Sequence, residues 1–182
     1  MTSDEFDVVV VGSGAAGMTA ALAAQAHGLT VVVVEKAATF GGSTARSGGG
    51  IWVPNNEVLR RAGAPDSPDR AAAYLAGIVG DTVTPERLVA LLTHGPDMVT
   101  LVRAATPLDF RWVRGYPDYY PEADGGMALG RTIEPKPLDG RMLGAELANL
   151  NPAYLAAPVN LPITAAHYRW LNLIARHPRG TV

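Results

Sequence analysis

The chain has 182 residues and a formal net charge of −2, and 48% of its residues are hydrophobic. This composition is typical of a folded domain with a sizeable core, and the charge balance favours neither a nucleic-acid nor an anionic-membrane partner. The chain lacks cysteine and its four histidines are scattered, so we exclude disulfides and thiolate catalysis and predict no metal site.

The first predicted elements form a compact unit of strand, helix and strand. Residues 7–11 are a short apolar run of the kind found in buried parallel strands. Helix-forming residues, mostly alanine, extend from 14 to 27, and Gly28 follows where a helix commonly ends. A second buried strand is predicted over residues 30–35. Because all of this fits within about thirty residues, the pattern predicts a βαβ unit.

The turn between the first strand and the helix carries the clearest functional signal. Gly12, Gly14 and Gly17 form a G-x-G-x-x-G pattern, and Glu35 follows 18 residues after Gly17. In dinucleotide sites these glycines permit the turn, the approach of a pyrophosphate and the packing of helix on strand, while the acid binds ribose hydroxyls and disfavours NADP. Free N–H groups and the helix dipole face the phosphates. The predicted cofactor contacts are Gly12, Ser13, Gly14, Ala15, Ala16, Gly17, Glu35 and Lys36.

A second glycine-rich loop follows at residues 41–50. A cofactor whose long axis continues past the ribose would reach this loop, which favours FAD over NAD, although a flexible surface loop is the alternative interpretation. Its hydroxyls suit phosphate or ribityl oxygens, and its last glycines would let the backbone lie against a flat ring. The predicted contacts here are Gly41, Gly42, Ser43, Thr44, Ser47, Gly48, Gly49 and Gly50.

The rest of the chain reads as helices interrupted by turns. The predicted elements are a loop over 36–57, helices over 68–79, 85–92 and 97–105, a strand over 110–113, mostly loop over 115–162, and a helix over 163–176. The fold class is therefore α/β, with a Rossmann-like FAD-binding βαβ unit and an incomplete parallel sheet, since such sheets need about five or six strands. We expect the N-terminal part of an FAD-binding domain at 1–107 and the beginning of a mixed substrate domain at 108–182.

Three segments resemble the 3-ketosteroid Δ1-dehydrogenases of the fumarate reductase/succinate dehydrogenase flavoprotein superfamily. They are residues 8–36, the loop at 40–54 and the sequence Tyr-Pro-Asp-Tyr-Tyr at 116–120. The resemblance covers essentially the whole chain but only the N-terminal portion of these two-domain enzymes. One departure is Tyr116, which stands where a phenylalanine is familiar in the steroid enzymes.

The resemblance implies a specific chemistry. FAD would be bound non-covalently, because residues 41–54 lack the histidine that carries a covalent flavin elsewhere in the superfamily. Two hydrogens would leave ring A of a 3-ketosteroid, forming a C1–C2 double bond, with Tyr119 assisting the base that takes the C2 proton. The base and the donors to the keto oxygen lie later in the family's sequence, so we expect no turnover from this chain alone.

Other interpretations remain open at this point. The chain is alternatively a fumarate reductase-like flavoprotein acting on another substrate, or a non-catalytic FAD-binding remnant, and the electron acceptor is unknown. By residue type alone, Tyr119 is a half-buried packing residue, Trp52 a packing residue, Asp118 a local cap and Arg46 a solvated loop residue. A cytoplasmic location is expected, because the acidic N-terminus is no secretory signal and no apolar run is long enough to span a bilayer.

Overall fold

The computed structural model describes residues 5–154, 164, 165 and 167. In chain order the helices and strands are β1 (Val8–Val11), α1 (Ala15–Ala26), β2 (Val31–Val34), α2 (Gly42–Arg46), β3 (Ile51–Trp52), α3 (Glu57–Arg61), α4 (Pro68–Val79), α5 (Pro85–Ala105), β4 (Phe110–Trp112) and β5 (Thr132–Pro135). Short 3-10 helices lie at Gly80–Thr82 and Gly140–Asn149. No helix among the described residues is long and apolar enough to cross a membrane.

The chain divides into two compact units, each assembled from separate stretches. The described part of the first unit comprises residues 5–49, 101–108 and 137–154, and that of the second comprises 50–100, 109–136, 164, 165 and 167. The boundary predicted between residues 107 and 108 stays a prediction about the domains of the whole protein.

The first unit is built on the predicted strand, helix and strand. β1 and β2 pair in parallel, with Val8 opposite Val31 and Val11 opposite Val34. The Asp7 carboxylate accepts hydrogen bonds from the Thr30 backbone N–H at 2.8 Å and hydroxyl at 2.7 Å, which locks the start of the pair. The predictions for residues 7–11, 14–27 and 30–35 are confirmed, with each element one residue shorter at one or both ends.

The expectation that both strands are buried on both faces is wrong. Val10 is buried and lies near Gly17 of α1, whereas Val9 and Val11 are 60% and 84% exposed. Successive side chains of a strand point to opposite faces, so α1 covers only one face of the pair. The valine-rich sequence reports strand propensity correctly but cannot show how many layers cover the sheet.

The second unit contains an antiparallel sheet in the order β3-β5-β4. Ile51 of β3 and Trp112 of β4 both stand opposite Ile133, the central residue of the register. Ile133 also belongs to the buried core of this unit, together with Val53, Leu59 and Val99. Burial of these branched side chains fixes the sheet against α3 and α5.

Several predicted boundaries are wrong because packing overrides local signals. Helix α5 runs unbroken from Pro85 to Ala105 through Pro96, although we predicted two helices. A proline removes a helical hydrogen bond, but Gly95 lies close to Val53 and Val99 is fully buried in the core, which holds the helix together. The predicted loop at 36–57 contains α2, β3 and the start of α3. The predicted loop at 115–162 contains β5 and a 3-10 helix.

Other predictions are confirmed by local signals. Helix α4 spans the predicted residues, and the Ser67 hydroxyl caps it by accepting from the Arg70 N–H at 3.2 Å. Strand β4 matches the prediction at 110–113 apart from its last residue. The final predicted helix at 163–176 falls almost entirely outside the described residues.

A substitution at Gly17 tests the packing of α1 on β1. An alanine methyl group there would lie 1.9 Å from the Gly12 carbonyl oxygen, whereas at Gly14 it meets no atom within 4 Å. We expect Gly17→Ala to lower the free energy of unfolding by about 1–3 kcal/mol, measured by urea denaturation. The matched Gly14→Ala variant stays within about 0.5 kcal/mol of the parent protein, and equal losses in the two variants would contradict the packing described here.

Candidate functional site

The three glycines of the first turn have different structural roles. Gly12 has a φ of +96°, in the left-handed region that favours glycine. The close approach of Gly17 to the Gly12 carbonyl brings α1 onto β1. Gly14 precedes α1 in an extended conformation, and open space lies where its side chain would be. The first and third glycines are therefore needed by the fold itself, whereas the second leaves space beside the helix N-terminus.

The backbone N–H groups of this turn are only partly available. The Gly12 N–H donates to the Val34 carbonyl at 2.8 Å, and the N–H groups of Ser13 and Ala15 donate to side chains described below. Within the described residues, the N–H groups of Gly14, Ala16 and Gly17 donate to no protein atom. Three unpaired donors at the positive end of a helix dipole suit an anion such as a pyrophosphate. The prediction that residues 12–17 present free N–H groups is therefore narrowed to these three.

Glu35 accepts three hydrogen bonds, two of which tie it to Ser13 of the first turn. Its Oε2 accepts from the Ser13 N–H at 2.9 Å and the Ser13 hydroxyl at 2.5 Å, and its Oε1 accepts from the Ala37 N–H at 2.9 Å. The bond from Ala37, followed by those from Ser13, lowers the pKa of Glu35 to about 2. The carboxylate is exposed and ionised at neutral pH, and Oε1 keeps a lone pair free to accept from a ribose hydroxyl.

The second glycine loop docks on the first turn. The Gly41 N–H donates to the Ser13 hydroxyl at 2.9 Å, and the Ala15 N–H donates to the Thr44 hydroxyl at 3.1 Å. A side chain on Gly42 would come within 3.2 Å of the Gly14 Cα. The structure thus brings together the two glycine-rich segments that we predicted to contact one cofactor.

The remaining predicted contacts are less directly placed. The Ser47 hydroxyl donates to the Thr44 carbonyl at 2.8 Å and accepts from the Gly49 N–H at 3.1 Å, so it shapes the loop. Gly50 falls in the second unit. Ala16, Lys36, Ser43 and Gly48 are exposed, and their side chains hold no part of the described loop in place. Their roles as cofactor contacts stay predictions.

Sequence reasoning missed the segment that clamps the second glycine loop. Residues 149–151 form a parallel bridge with Phe40, whose N–H donates to the Asn149 carbonyl at 2.9 Å. The Asn151 amide nitrogen donates to the Gly42 carbonyl at 3.1 Å. No local pattern could reveal this contact, since it joins residues more than a hundred positions apart.

Arg46 is not the solvated loop residue that we predicted. Its guanidinium carbon lies 3.9 Å from the centre of the Tyr154 ring. The Arg46 carbonyl accepts a hydrogen bond from the Tyr154 N–H at 3.4 Å. The Nε of the Arg46 side chain is buried and has no hydrogen-bond partner among the described residues. Arg46 therefore contributes to the same long-range clamp through a cation–π contact.

The second unit contains a cavity of about 460 Å³ with mainly aromatic and aliphatic walls. Gly50, just before β3, and Thr132, at the start of β5, contribute to it, and the loop at 116–120 forms one wall. The aromatic side chains that line it are Trp52, Tyr74, Tyr116, Tyr119 and Tyr120.

Tyr119 and its neighbours differ from the predictions made from residue type. Tyr119 is 85% exposed, so it is not a half-buried packing residue. Asp118 is buried and binds Arg131, so it is more than a local cap. Trp52 packs beside Tyr74 as predicted, with ring centres 5.9 Å apart, and its Nε1 also donates to Asp118 at 2.8 Å.

Tyr116 and Tyr119 interact directly at the cavity wall. Tyr119 is the largest cause of a rise in the pKa of Tyr116 above its ordinary value of 10.0, because a negative charge on one phenol disfavours ionisation of the other. Tyr116 is the position at which the resemblance led us to expect a phenylalanine. A phenylalanine there would place no hydroxyl beside Tyr119.

Comparison with known proteins gives consistent results. Residues 7–180 match the family described as "FAD binding domain". The chain is 59% identical over 182 residues to a 3-oxosteroid 1-dehydrogenase of Mycobacterium tuberculosis, covering 100% of this chain and 32% of that protein. It is 40% identical over 146 residues to a 4-oxocyclohex-2-ene-1-carboxylate 5-dehydrogenase of Sinomonas cyclohexanicum, covering 80% of this chain and 24% of that protein.

A solved structure is also similar. The 3-ketosteroid Δ1-dehydrogenase of Sterolibacterium denitrificans, in complex with 1,4-androstadiene-3,17-dione, superposes with a TM-score of 0.77 and 44% identity. The match covers 82% of this chain and 26% of that one. These similarities confirm the resemblance predicted from the sequence, and they show that the chain spans about a third of the length of the curated relatives described here (32% for the first).

The lowered pKa of Glu35 predicts a pH dependence. A carboxylate whose pKa falls from 4.5 to about 2 on folding stabilises the folded state above pH 4.5, and this contribution is lost as the pH falls towards 2. Glu35→Gln lacks the contribution at every pH. We therefore expect the difference in unfolding free energy between the parent protein and this variant to shrink from pH 6 to pH 2, measured by denaturation. A difference independent of pH would contradict the bonds described at Glu35.

The Tyr116–Tyr119 pair predicts a second titration effect. The largest causes of the raised pKa of Tyr116 come from Tyr119, and burial of Tyr116 itself adds a smaller one. Tyr119→Phe should therefore return the pKa of Tyr116 most of the way towards 10.0. NMR of ring-labelled tyrosine during a pH titration measures the pKa of Tyr116 in the parent protein and in the variant. Tyr154→Phe, in the other unit, serves as the control and should leave Tyr116 unchanged. An unaltered Tyr116 in Tyr119→Phe would show that the two phenols do not interact.

Proposed function

The chain belongs to the family of FAD-binding domains, and from this premise we propose that it forms the N-terminal part of an FAD-dependent 3-ketosteroid Δ1-dehydrogenase. The reaction would introduce a C1–C2 double bond into ring A of a 3-ketosteroid. The observation that carries the proposal is an aromatic cavity bearing an exposed tyrosine, Tyr119, in a chain that is 59% identical throughout to a 3-oxosteroid 1-dehydrogenase.

Family membership confirms FAD as the cofactor, and the first unit supplies groups that fit it. We propose a Rossmann-like mode in which the unpaired N–H groups of Gly14, Ala16 and Gly17 hold the pyrophosphate. Oε1 of Glu35 would accept a hydrogen bond from the adenosine ribose. Open space beside Gly14 lets the phosphates approach the backbone. When bound, FAD supplies the acceptor for the hydride that leaves the substrate.

The other predicted contacts are proposed in supporting roles. Ser13 and Thr44 hold the two glycine segments together through their hydroxyls, and the left-handed Gly41 and Gly42 shape the approach to α2. The remaining candidates for direct contact with the cofactor are Gly12, Ala15, Lys36, Ser43, Ser47, Gly48, Gly49 and Gly50.

The cavity of the second unit suits the flat, apolar ring system of a steroid. Large aromatic and aliphatic side chains exclude water and favour apolar ligands, while a few polar groups orient them. We propose that the Tyr119 hydroxyl is one of these groups. It would assist removal of the C2 proton by offering the proton on its Oη as a hydrogen bond to the base.

Charge distinguishes this proposal from a fumarate reductase-like function. A dicarboxylate substrate needs cationic side chains to pair with its two charges. The described residues that line the cavity include no lysine, arginine or histidine. The walls therefore favour a neutral substrate over an anionic one. The electron acceptor is not identified by these features, and a cytoplasmic location stays a prediction of the sequence.

The proposed activity is tested with the full-length gene product loaded with FAD. Incubation with a 3-ketosteroid and an artificial electron acceptor should yield a steroid product lighter by two hydrogens. Mass spectrometry detects this product. We expect Tyr119→Phe to lower kcat by about a hundredfold, the order typical of general acid–base groups. Turnover of a dicarboxylate but not of the steroid would contradict the proposal.

The cofactor site is tested at Gly14. A methyl group there meets no protein atom but would fill the space through which the pyrophosphate approaches, so Gly14→Ala should weaken FAD binding about tenfold or more. Titration of the apoprotein with FAD, followed by flavin fluorescence, measures the change. Gly77→Ala, on α4 and equally free of clashes, is the matched control and should bind FAD as the parent protein does. Normal binding by Gly14→Ala would show that the phosphates lie elsewhere.

A further inference from the structure

Arg131 is a completely buried arginine, and each of its three guanidinium nitrogens donates a hydrogen bond. Its Nε donates to Asp66 Oδ1 at 2.9 Å, one terminal nitrogen donates to Asp118 Oδ2, and the other donates to the Gly125 carbonyl at 2.7 Å. Both carboxylates are also buried. A buried ion pair is maintained only when its hydrogen bonds are complete. The planar fork of arginine serves three acceptors at once, which the single ammonium group of a lysine cannot do in the same geometry.

Asp118 connects the buried guanidinium of Arg131 to the cavity wall. Besides the bond from Arg131, its Oδ2 accepts from the Met127 N–H at 3.1 Å, and its Oδ1 accepts from Trp52 Nε1 at 2.8 Å. Asp118 stands directly before Tyr119 in the chain. The backbone that sets the direction of Tyr119 is therefore held from inside the second unit by a carboxylate that accepts three hydrogen bonds.

The same guanidinium contacts two further parts of the wall. Its central carbon lies 5.7 Å from the ring centre of Trp52 and 5.4 Å from that of Tyr74, within cation–π range. The Tyr74 hydroxyl in turn accepts from the Tyr120 N–H at 3.2 Å. One buried cation thus supports the loop on both sides of Tyr119 and the rings beside it.

We propose that Arg131 is a positioning residue that fixes Tyr119 for the reaction without touching the substrate, an inference that rests on the proposed function. Tyr119 is 85% exposed and so receives little restraint from its own packing. Its direction depends on the backbone at Asp118, which Arg131 holds. A misplacement of a catalytic group by about 1 Å is enough to lower a rate by about a hundredfold.

A neighbouring arginine provides the matched comparison. Arg70 donates to the carbonyls of Pro65, Gly125 and Gly126. It therefore holds the same turn as Arg131, but through backbone acceptors alone. If Arg131 only stabilised this turn, substitutions at the two arginines would have the same effect.

The test uses the full-length gene product loaded with FAD and compares Arg131→Lys with Arg70→Lys. We expect Arg131→Lys to lower kcat by about ten- to a hundredfold, with KM and FAD content changed less than about threefold. Arg70→Lys should leave kcat, KM and FAD content within about threefold of the parent values. Equal losses of kcat in the two variants, or a loss confined to KM or FAD content, would overturn the proposal.

A double substitution separates positioning from general stabilisation. If Arg131 acts through Tyr119, adding Arg131→Lys to Tyr119→Phe should lower kcat further by less than about twofold. A full additional loss would overturn the proposal. An unchanged kcat in Tyr119→Phe alone would instead remove the proposed role of Tyr119, whereas a loss in Tyr119→Phe with none in Arg131→Lys would overturn only the role of Arg131.

Asp118→Asn keeps the inference testable if Arg131→Lys does not fold. The amide retains the shape of the side chain and an acceptor for Trp52, but it gives up the charge that holds the guanidinium. We expect the same fall in kcat at unchanged FAD content. Full activity in this folded variant would overturn the proposal.

Discussion

The hydroxyl of Ser13 is the point on which the cofactor cradle depends. It donates to Glu35 and accepts from Gly41, so one buried oxygen joins the first glycine turn, the end of β2 and the second glycine loop. With these three segments held together, the N–H groups at the start of α1 remain directed outward and unpaired. The conformations of Gly12 and Gly17 allow this arrangement, but the serine and the ionised carboxylate hold it in place.

The two units use different physical means to prepare for different ligands. In the first, backbone donors and a helix N-terminus suit the charged phosphates of a dinucleotide. In the second, an aromatic cavity suits an apolar ring system, and its walls rest on a buried ionic cluster centred on Arg131. The division matches the chemistry of a flavin dehydrogenase, which must bind a polyanionic cofactor and an apolar substrate.

Much of this could be predicted where the signal is local. The valine runs and the alanine-rich segment place their elements within one or two residues, α4 spans the predicted residues, and glycine spacing with Glu35 indicates the cradle. What could not be predicted depends on partners distant in sequence. Pro96 within α5, the pairing of β5 and the contact of Asn151 with Gly42 are fixed by packing. Arg131 carries no motif, and only its burial among Asp66, Asp118 and Gly125 reveals what it does.

We propose that FAD binds through the turn at residues 12–17. Hydrogen exchange of the full-length protein, measured with and without FAD, tests this binding mode most directly because it reports on individual amides. We expect FAD to slow exchange at the unpaired N–H groups of Gly14, Ala16 and Gly17. Slowed exchange elsewhere in the protein, with these three amides unchanged, would contradict it.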